Sequence, residues 1–254
     1  MPNNQQPQTD QPLLAAPIEA SKPLRVLYSA LDNYGGYPFA DLFDTVVGVY
    51  NPDDMKIQNS CLVLWGGGDI SPGIYGQHPS SRTGALDTPS SKDQLELNLA
   101  GRAIKMGLPI IGVCRGAQMM CALAGGKLVQ DVSGHSHDHF IETDEGKVLT
   151  ATSLHHQMMY PWDVSHRLIA WCSPPRSSSY LEGNALTEKV LKDVVSSFPA
   201  DLDVEKREPE IVYFPTIKSL CIQGHPEFIN NEKHQFVRYC QQLVEHYLIE
   251  PFLK

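Results

Sequence analysis

Three apolar runs in this chain end on glycine, and each glycine is followed by residues that can do chemistry. They are CLVLWGGGD (61–69), LPIIGVCRG (108–116) and SLCIQGHPE (219–227). Short apolar runs bounded by turn signals read as strands buried on both faces, which is the habit of a parallel sheet. Open sheets of that kind bind ligands at the carboxyl ends of their strands. The runs therefore constrain the fold and the location of a site together.

The intervening segments agree. SSKDQLELNLAGRAIKM (90–106) places Leu95, Leu99 and Ala103 on one helical face, with Ser90 or Ser91 as a cap and Asp93 in the first turn. AQMMCALAGG (117–126) reads as a helix closed by glycine. LRVLYSA (24–30) is a first strand, and FADLFDTVVGVY (39–50) a short helix followed by a strand. Strands alternating with helices predict an α/β fold with a mostly parallel central sheet flanked by helices. After residue 127, KVLTATSLHHQ, RLIAWCS and EIVYFPTIKSLCIQG predict shorter strands and a small additional β layer. A closing amphipathic helix carries Phe236, Cys240, Leu243, Val244 and Tyr247 on one stripe. Residues 173–209, rich in Ser, Pro and charge, read as an excursion with one short helix in ALTEKVLKDVVSSF (185–198). The expectation is one domain over 23–254. The Gln-, Pro- and Asn-rich lead, 1–22, is expected to be disordered or draped over it.

With 20 Lys and Arg against 29 Asp and Glu, the net charge is −9, which argues against a nucleic-acid surface. No run of 18 apolar residues would span a membrane. The N-terminus lacks the basic-then-apolar pattern of a secretory signal. The six cysteines (61, 114, 121, 172, 221, 240) are scattered singly, as expected of reduced thiols. These features together predict a cytoplasmic protein.

Gly112-Val113-Cys114-Arg115-Gly116 places a thiol on a strand-to-helix bend, where the positive end of the helix favours negative charge. The Arg115 amide would point at an oxygen of an attacked carbonyl. The plainer reading is a βα turn with an incidental cysteine. His225 and Glu227, two apart on an extended segment, lie on one side of it; the carboxylate could orient the imidazole toward Cys114 as a base. An HPE triplet by itself is more often a surface turn. Gly66, Gly67 and Gly68 allow backbone amides to approach a ligand oxygen and could complete an oxyanion hole. A phosphate cradle is the rival, but no GK[ST] or GxGxxG spacing accompanies them. The order Cys, His, Glu also disfavours an α/β-hydrolase, in which the acid precedes the histidine.

These motifs resemble the class I glutamine amidotransferase superfamily, within it the γ-glutamyl-γ-aminobutyrate hydrolase-like branch (peptidase family C26). The resemblance rests on GGGDISPGIYGQ (66–77), LPIIGVCRGAQ (108–118), AGGKLVQDV (124–132), SLHHQ (153–157) and IQGHPEF (222–228). It implies a flavodoxin-like sheet and a Cys114–His225–Glu227 triad that forms a γ-glutamyl thioester, which water then hydrolyses. It further implies an oxyanion hole from Gly66, Gly67, Gly68 and the Arg115 amide. Contacts to the glutamyl group would come from Gln118, Ser153, His155, His156 and Gln157. For His155 and His156 an edge-of-sheet placement is an equal alternative. The family usually carries an aromatic residue before the catalytic His, where this chain has Gly224. The missing bulk would loosen the support of His225 or open space for a larger leaving group.

The resemblance implies a small-molecule γ-glutamyl substrate and no cofactor, with a homodimer as an allowed assembly. Two other functions fit less well: an ammonia-donating subunit serving a separate synthetase, and a non-catalytic binding protein. A metal at His135, His137 and His139 in GHSHDHF is a minor alternative, and no metal is assigned.

Overall fold

The glycine-terminated runs become neighbouring strands of one nine-stranded sheet. The computed structural model describes residues 23–31, 33–172, 174–178, 180–182, 189–191 and 207–254. The expectation for 1–22 lies outside them. The strands, in chain order, are β1 (Val26–Ala30), β2 (Thr45–Val49), β3 (Ser60–Leu64), β4 (Ile110–Val113), β5 (Lys127–Val129), β6 (Asp131–Val132) and β7 (His139–Thr143). Then come β8 (Val148–Ala151), β9 (Met158–Tyr160), β10 (Arg167–Cys172), β11 (Tyr180–Glu182), β12 (Lys189–Leu191), β13 (Glu208–Phe214) and β14 (Ser219–Ile222). The main sheet runs β2-β1-β3-β4-β14-β13-β10-β7-β8.

Its first half, β2 to β14, is parallel throughout. That is the flavodoxin-like order, with the strand reversal between β1 and β3. From β14 onward every pairing is antiparallel. Several of the shorter strands expected as a separate layer therefore extend the same sheet. The additional layer consists of the small sheets β12-β11-β6 and β5-β9.

Successive side chains of the central strands enter different cores, as strand pleating requires. Cys61, Val63, Ile111, Val113, Leu220 and Ile222 face one side, joined by Phe236, Cys240, Leu243 and Val244 of helix α3 (Gln235–Val244). Leu62, Leu64, Ile110 and Cys221 face the other, against helices α1 (Ser91–Met106) and α2 (Arg115–Leu123). With both faces covered, these strands carry continuous apolar sequence. Helix α1 starts at a capping box: Ser90 accepts from the Asp93 amide, and the Asp93 carboxylate accepts from the Ser90 amide.

One expectation fails. Lys189–Leu191, read as part of a helix, is a strand paired antiparallel with Tyr180–Glu182. Val190 carries β propensity as well as apolar spacing, and the pairing with Tyr180–Glu182, just before the stretch read as a helix, decides for the strand. All six cysteines are free and buried. Among the described residues no helix is long and apolar enough to cross a membrane.

Candidate active site

Cys114 stands at the bend between β4 and α2 with φ 48° and ψ −105°. Such backbone costs a non-glycine residue ~1–3 kcal/mol and persists only where its surroundings enforce it. The two glycines of GVCRG explain the enforcement. A Cβ on Gly112 would lie 2.7 Å from the Gly116 carbonyl oxygen and 2.8 Å from Ala117 Cα, and one on Gly116 would run into the Leu64 carbonyl. The first turn of α2 is thus pressed onto the sheet backbone. The Cys114 amide donates to Ile222 O at 2.7 Å, fixing the bend between β3 and β14.

His225 follows β14 and is held from three directions. Its amide donates to Thr152 O at 2.8 Å, its Nδ1 donates to Glu227 Oε1 at 2.7 Å, and its ring stacks on Phe228 at 4.4 Å between centroids. Nε2 has no hydrogen-bond partner of ordinary geometry among the described residues. Burial works against the charged imidazole, but hydrogen bonding to Cys114 and Glu227 raises its pKa to about 10. The sulfur, the imidazole and the carboxylate are therefore close enough to act on one another.

Gly66, the first residue of the glycine turn, packs on both. A Cβ there would meet His225 Cε1 at 2.8 Å and Cys114 Cβ at 3.7 Å. One on Gly67 would meet Lys92 Nζ at 2.5 Å and Arg115 Cδ at 3.0 Å, whereas Gly68 faces open space. The Arg115 side chain turns away from this edge into a buried cluster with Asp93, at 2.5 Å, and Glu96. Its main chain stays at the bend and its Cδ lies against Gly67.

Residues 55–173 match the Peptidase C26 family model. Over that segment, a little under half of the chain, the sequence is similar to Peptidase C26. The match contains the glycine turn, Cys114 and residues 153–157, and ends before His225 and Glu227. The chain is 37% identical over 100 residues to the glutamine amidotransferase-like protein YvdE of Lactococcus lactis, covering 37% of this chain and 42% of YvdE. It is 40% identical over 72 residues to protein NtpR of Enterococcus hirae, covering 28% of this chain and 29% of that one. The matches thus span less than half the length of either relative. A crystal structure of a glutamine amidotransferase from Thermotoga maritima aligns with a TM-score of 0.48 and 15% identity, covering 90% of this chain and 86% of that one.

The residues expected to contact a glutamyl group are largely engaged with one another. Gln118 Nε2 donates to Gln157 O at 3.0 Å, Ser153 Oγ to His135 O at 2.6 Å, and His155 Nδ1 to Gln157 O at 2.9 Å. Gln157 Nε2 donates to Thr83 Oγ1 at 3.2 Å. His156 is part-exposed and sits between Asp69 (2.9 Å) and Asp131 (3.3 Å). Burial disfavours the Asp69 carboxylate, but hydrogen bonds from His156 and the Gly84 amide hold its pKa below the usual value. These residues build and brace a turn; His155 is buried, not at a solvent-facing edge.

The space expected beside Gly224 is absent. A Cβ there would meet Thr152 O at 2.8 Å and Phe236 Cζ at 3.0 Å, so an aromatic side chain from α3 already occupies the position. Sequence reasoning also missed Tyr34. It packs edge-on against Trp65 at 5.1 Å and Phe228 at 6.2 Å. Phe228 in turn stacks on His225, so Tyr34 lies beside the site, and burial, then Glu227 and Cys114, raise its hydroxyl pKa. The available signal was NYGG (33–36) directly after a strand, where Tyr34 has φ 57°.

Proposed function

We propose that this chain hydrolyses γ-glutamyl amides, glutamine or a γ-glutamyl amine, through a thioester on Cys114. The observation that carries the reading is the joint packing of Gly66, Cys114 and His225, with His225 Nδ1 committed to Glu227. In this reading Cys114 Sγ attacks the amide carbon, forming the S–C bond as the carbonyl π pair moves onto oxygen. Main-chain amides of the 66–68 turn and of Arg115 hold that oxyanion. Its collapse breaks the C–N bond, and protonated His225 gives the leaving amine its proton. Water then attacks the thioester with His225 as base, releasing the γ-carboxylate and restoring Cys114. Glu227 keeps the imidazole oriented throughout. Gln118, Ser153, His155, His156 and Gln157 act here by shaping the substrate-side turn.

A second reading, a subunit that passes ammonia to a separate synthetase, draws support from the glutamine amidotransferase-like relatives. The isolated chain separates the two. Efficient release of amines from a panel of γ-glutamyl amides, with a γ-glutamyl adduct on Cys114 by mass spectrometry, supports the hydrolase. Slow glutamine turnover that rises with a partner supports the subunit. Cys114→Ala should abolish the adduct and the turnover; activity retained in that variant ends both readings, and a chain that binds without turnover is a binding protein.

A further inference from the structure

A second polar cluster is buried away from Cys114, and its chemistry is that of a cation site. His135 and His139, from the stretch leading into β7, and His155, from the turn at 153–157, all present a ring nitrogen to Glu210 of β13. His135 Nδ1 lies 3.2 Å, His139 Nε2 2.9 Å and His155 Nε2 3.8 Å from Glu210 Oε1. All four side chains are almost wholly buried.

The other nitrogen of each ring is already spoken for. His155 Nδ1 lies 2.9 Å from Gln157 O, and His139 Nδ1 lies 3.1 Å from His137 O. A carbonyl only accepts, so both Nδ1 atoms carry hydrogen. His135 Nε2 lies 2.9 Å from Glu208 Oε2, an arrangement in which the carboxylate accepts from the imidazole. Glu208 is in turn fixed by the amides of Arg176 and Ser177 and by the Tyr180 hydroxyl. Metal-ligating histidines are held in this way, with one ring N–H given to a carbonyl or carboxylate and the lone pair of the other nitrogen left for the ion.

Three buried atoms lack a well-directed hydrogen bond: His135 Nδ1, His155 Nε2 and Glu210 Oε2. With its hydrogen on Nδ1, neutral His155 aims a lone pair at a carboxylate, which is repulsive unless a cation stands between them. The donor atoms of His135, His155 and Glu210 lie within 4.8 Å of one another. Ligands about 2.0–2.2 Å from tetrahedral zinc are spaced about 3.3–3.6 Å apart, so a small closure would seat the ion.

We propose that His135 Nδ1, His155 Nε2 and the Glu210 carboxylate form a binding site for a divalent metal of the zinc type. His139 braces the carboxylate from outside, and His137, exposed, takes no part. The site is a clamp: it joins the segment before β7, the turn at 153–157 and β13. It takes no part in the bond-making steps proposed for Cys114.

The test is Zn²⁺ and Co²⁺ titration of the full chain, without a histidine tag and stripped by chelator, followed by calorimetry and visible absorption. Cys114→Ala serves as a parallel background, so that the candidate nucleophile cannot be the binder. One equivalent should bind in both, with a rise in Tm and the d–d bands of tetrahedral Co²⁺ bound by nitrogen and oxygen. His155→Asn should abolish binding, and Glu208→Gln should weaken it at least about tenfold. Should those variants fail to fold, the Co²⁺ spectrum of the unmodified chain decides. No uptake by the unmodified chain overturns the proposal, because protonated histidines then balance the two carboxylates. Uptake indifferent to both substitutions overturns it too. So does a thiolate charge-transfer band, which moves the ion to Cys172 and His139.

Discussion

Gly66 and His225 exclude one another: a methyl group on the glycine would stand 2.8 Å from Cε1 of the imidazole. The ring is buried and fixed to Glu227, so it can yield only by losing that alignment. Gly66→Ala should therefore lower kcat/KM on a γ-glutamyl amide by about 10²-fold, the scale of a one-ångström misplacement. Steady-state kinetics and a melting curve on the same sample check this. Full activity with an unchanged Tm would show that the site tolerates the displacement.

The pH dependence follows from His225. Its pKa is raised from the usual 6.5 to about 10, with burial opposed and outweighed by hydrogen bonds to Cys114 and Glu227. A raised value means that its protonated form contributes stability in full below pH 6.5, and that the contribution is lost as pH rises through about 10. Activity that draws on the same proton should fall along the same limb. Glu227→Gln removes one of the supports and should shift that alkaline limb to lower pH in a pH–rate profile. A limb that stays in place would break the proposed coupling.

Arg115 predicts a stability effect. Its guanidinium is the partner of two buried carboxylates, Asp93 and Glu96. Arg115→Met should destabilise by about 3–5 kcal/mol, since buried Asp93 loses its counter-charge and Glu96 keeps only the part-exposed Lys92 at 3.8 Å. Urea unfolding measures it; a change below about 1 kcal/mol, the worth of a surface pair, would mean that water reaches the cluster.

The parallel half of the sheet was legible because its strands are buried on both faces, so the apolar runs mark themselves without partners. The bend at GVCRG was legible as a strand-to-helix turn, while the motif by itself left open whether its cysteine was incidental. What escaped depends on contacts distant in sequence. Nothing near Gly224 announces that Phe236 fills its place. Tyr34 reaches the site from a short NYGG turn that does not show which residues it packs against, and the role of Arg115's side chain depends on acids 19 and 22 residues earlier, in another helix. The histidines of GHSHDHF were noticed as a row, but the proposed site takes His135 alone as a ligand, with His139 as a brace, and adds His155 and Glu210. Periodicity sees one element at a time; the turn at 153–157 and β13 meet only in the folded chain.

The hairpin of β13 and β14 leaves the two buried polar centres with a common spine. The Gln223 amide, two residues before His225, donates to the carbonyl of Glu210 at 2.7 Å, and the His225 amide donates to Thr152, three residues before His155. One main-chain hydrogen bond thus ties the strand of Glu210 to the segment that carries His225, and a second ties His225 to the segment that carries His155. Loosening the antiparallel half should blur the aim of a ring that sits at the edge of the parallel half, and a screen for substrate preference has reason to look there, far from the sulfur.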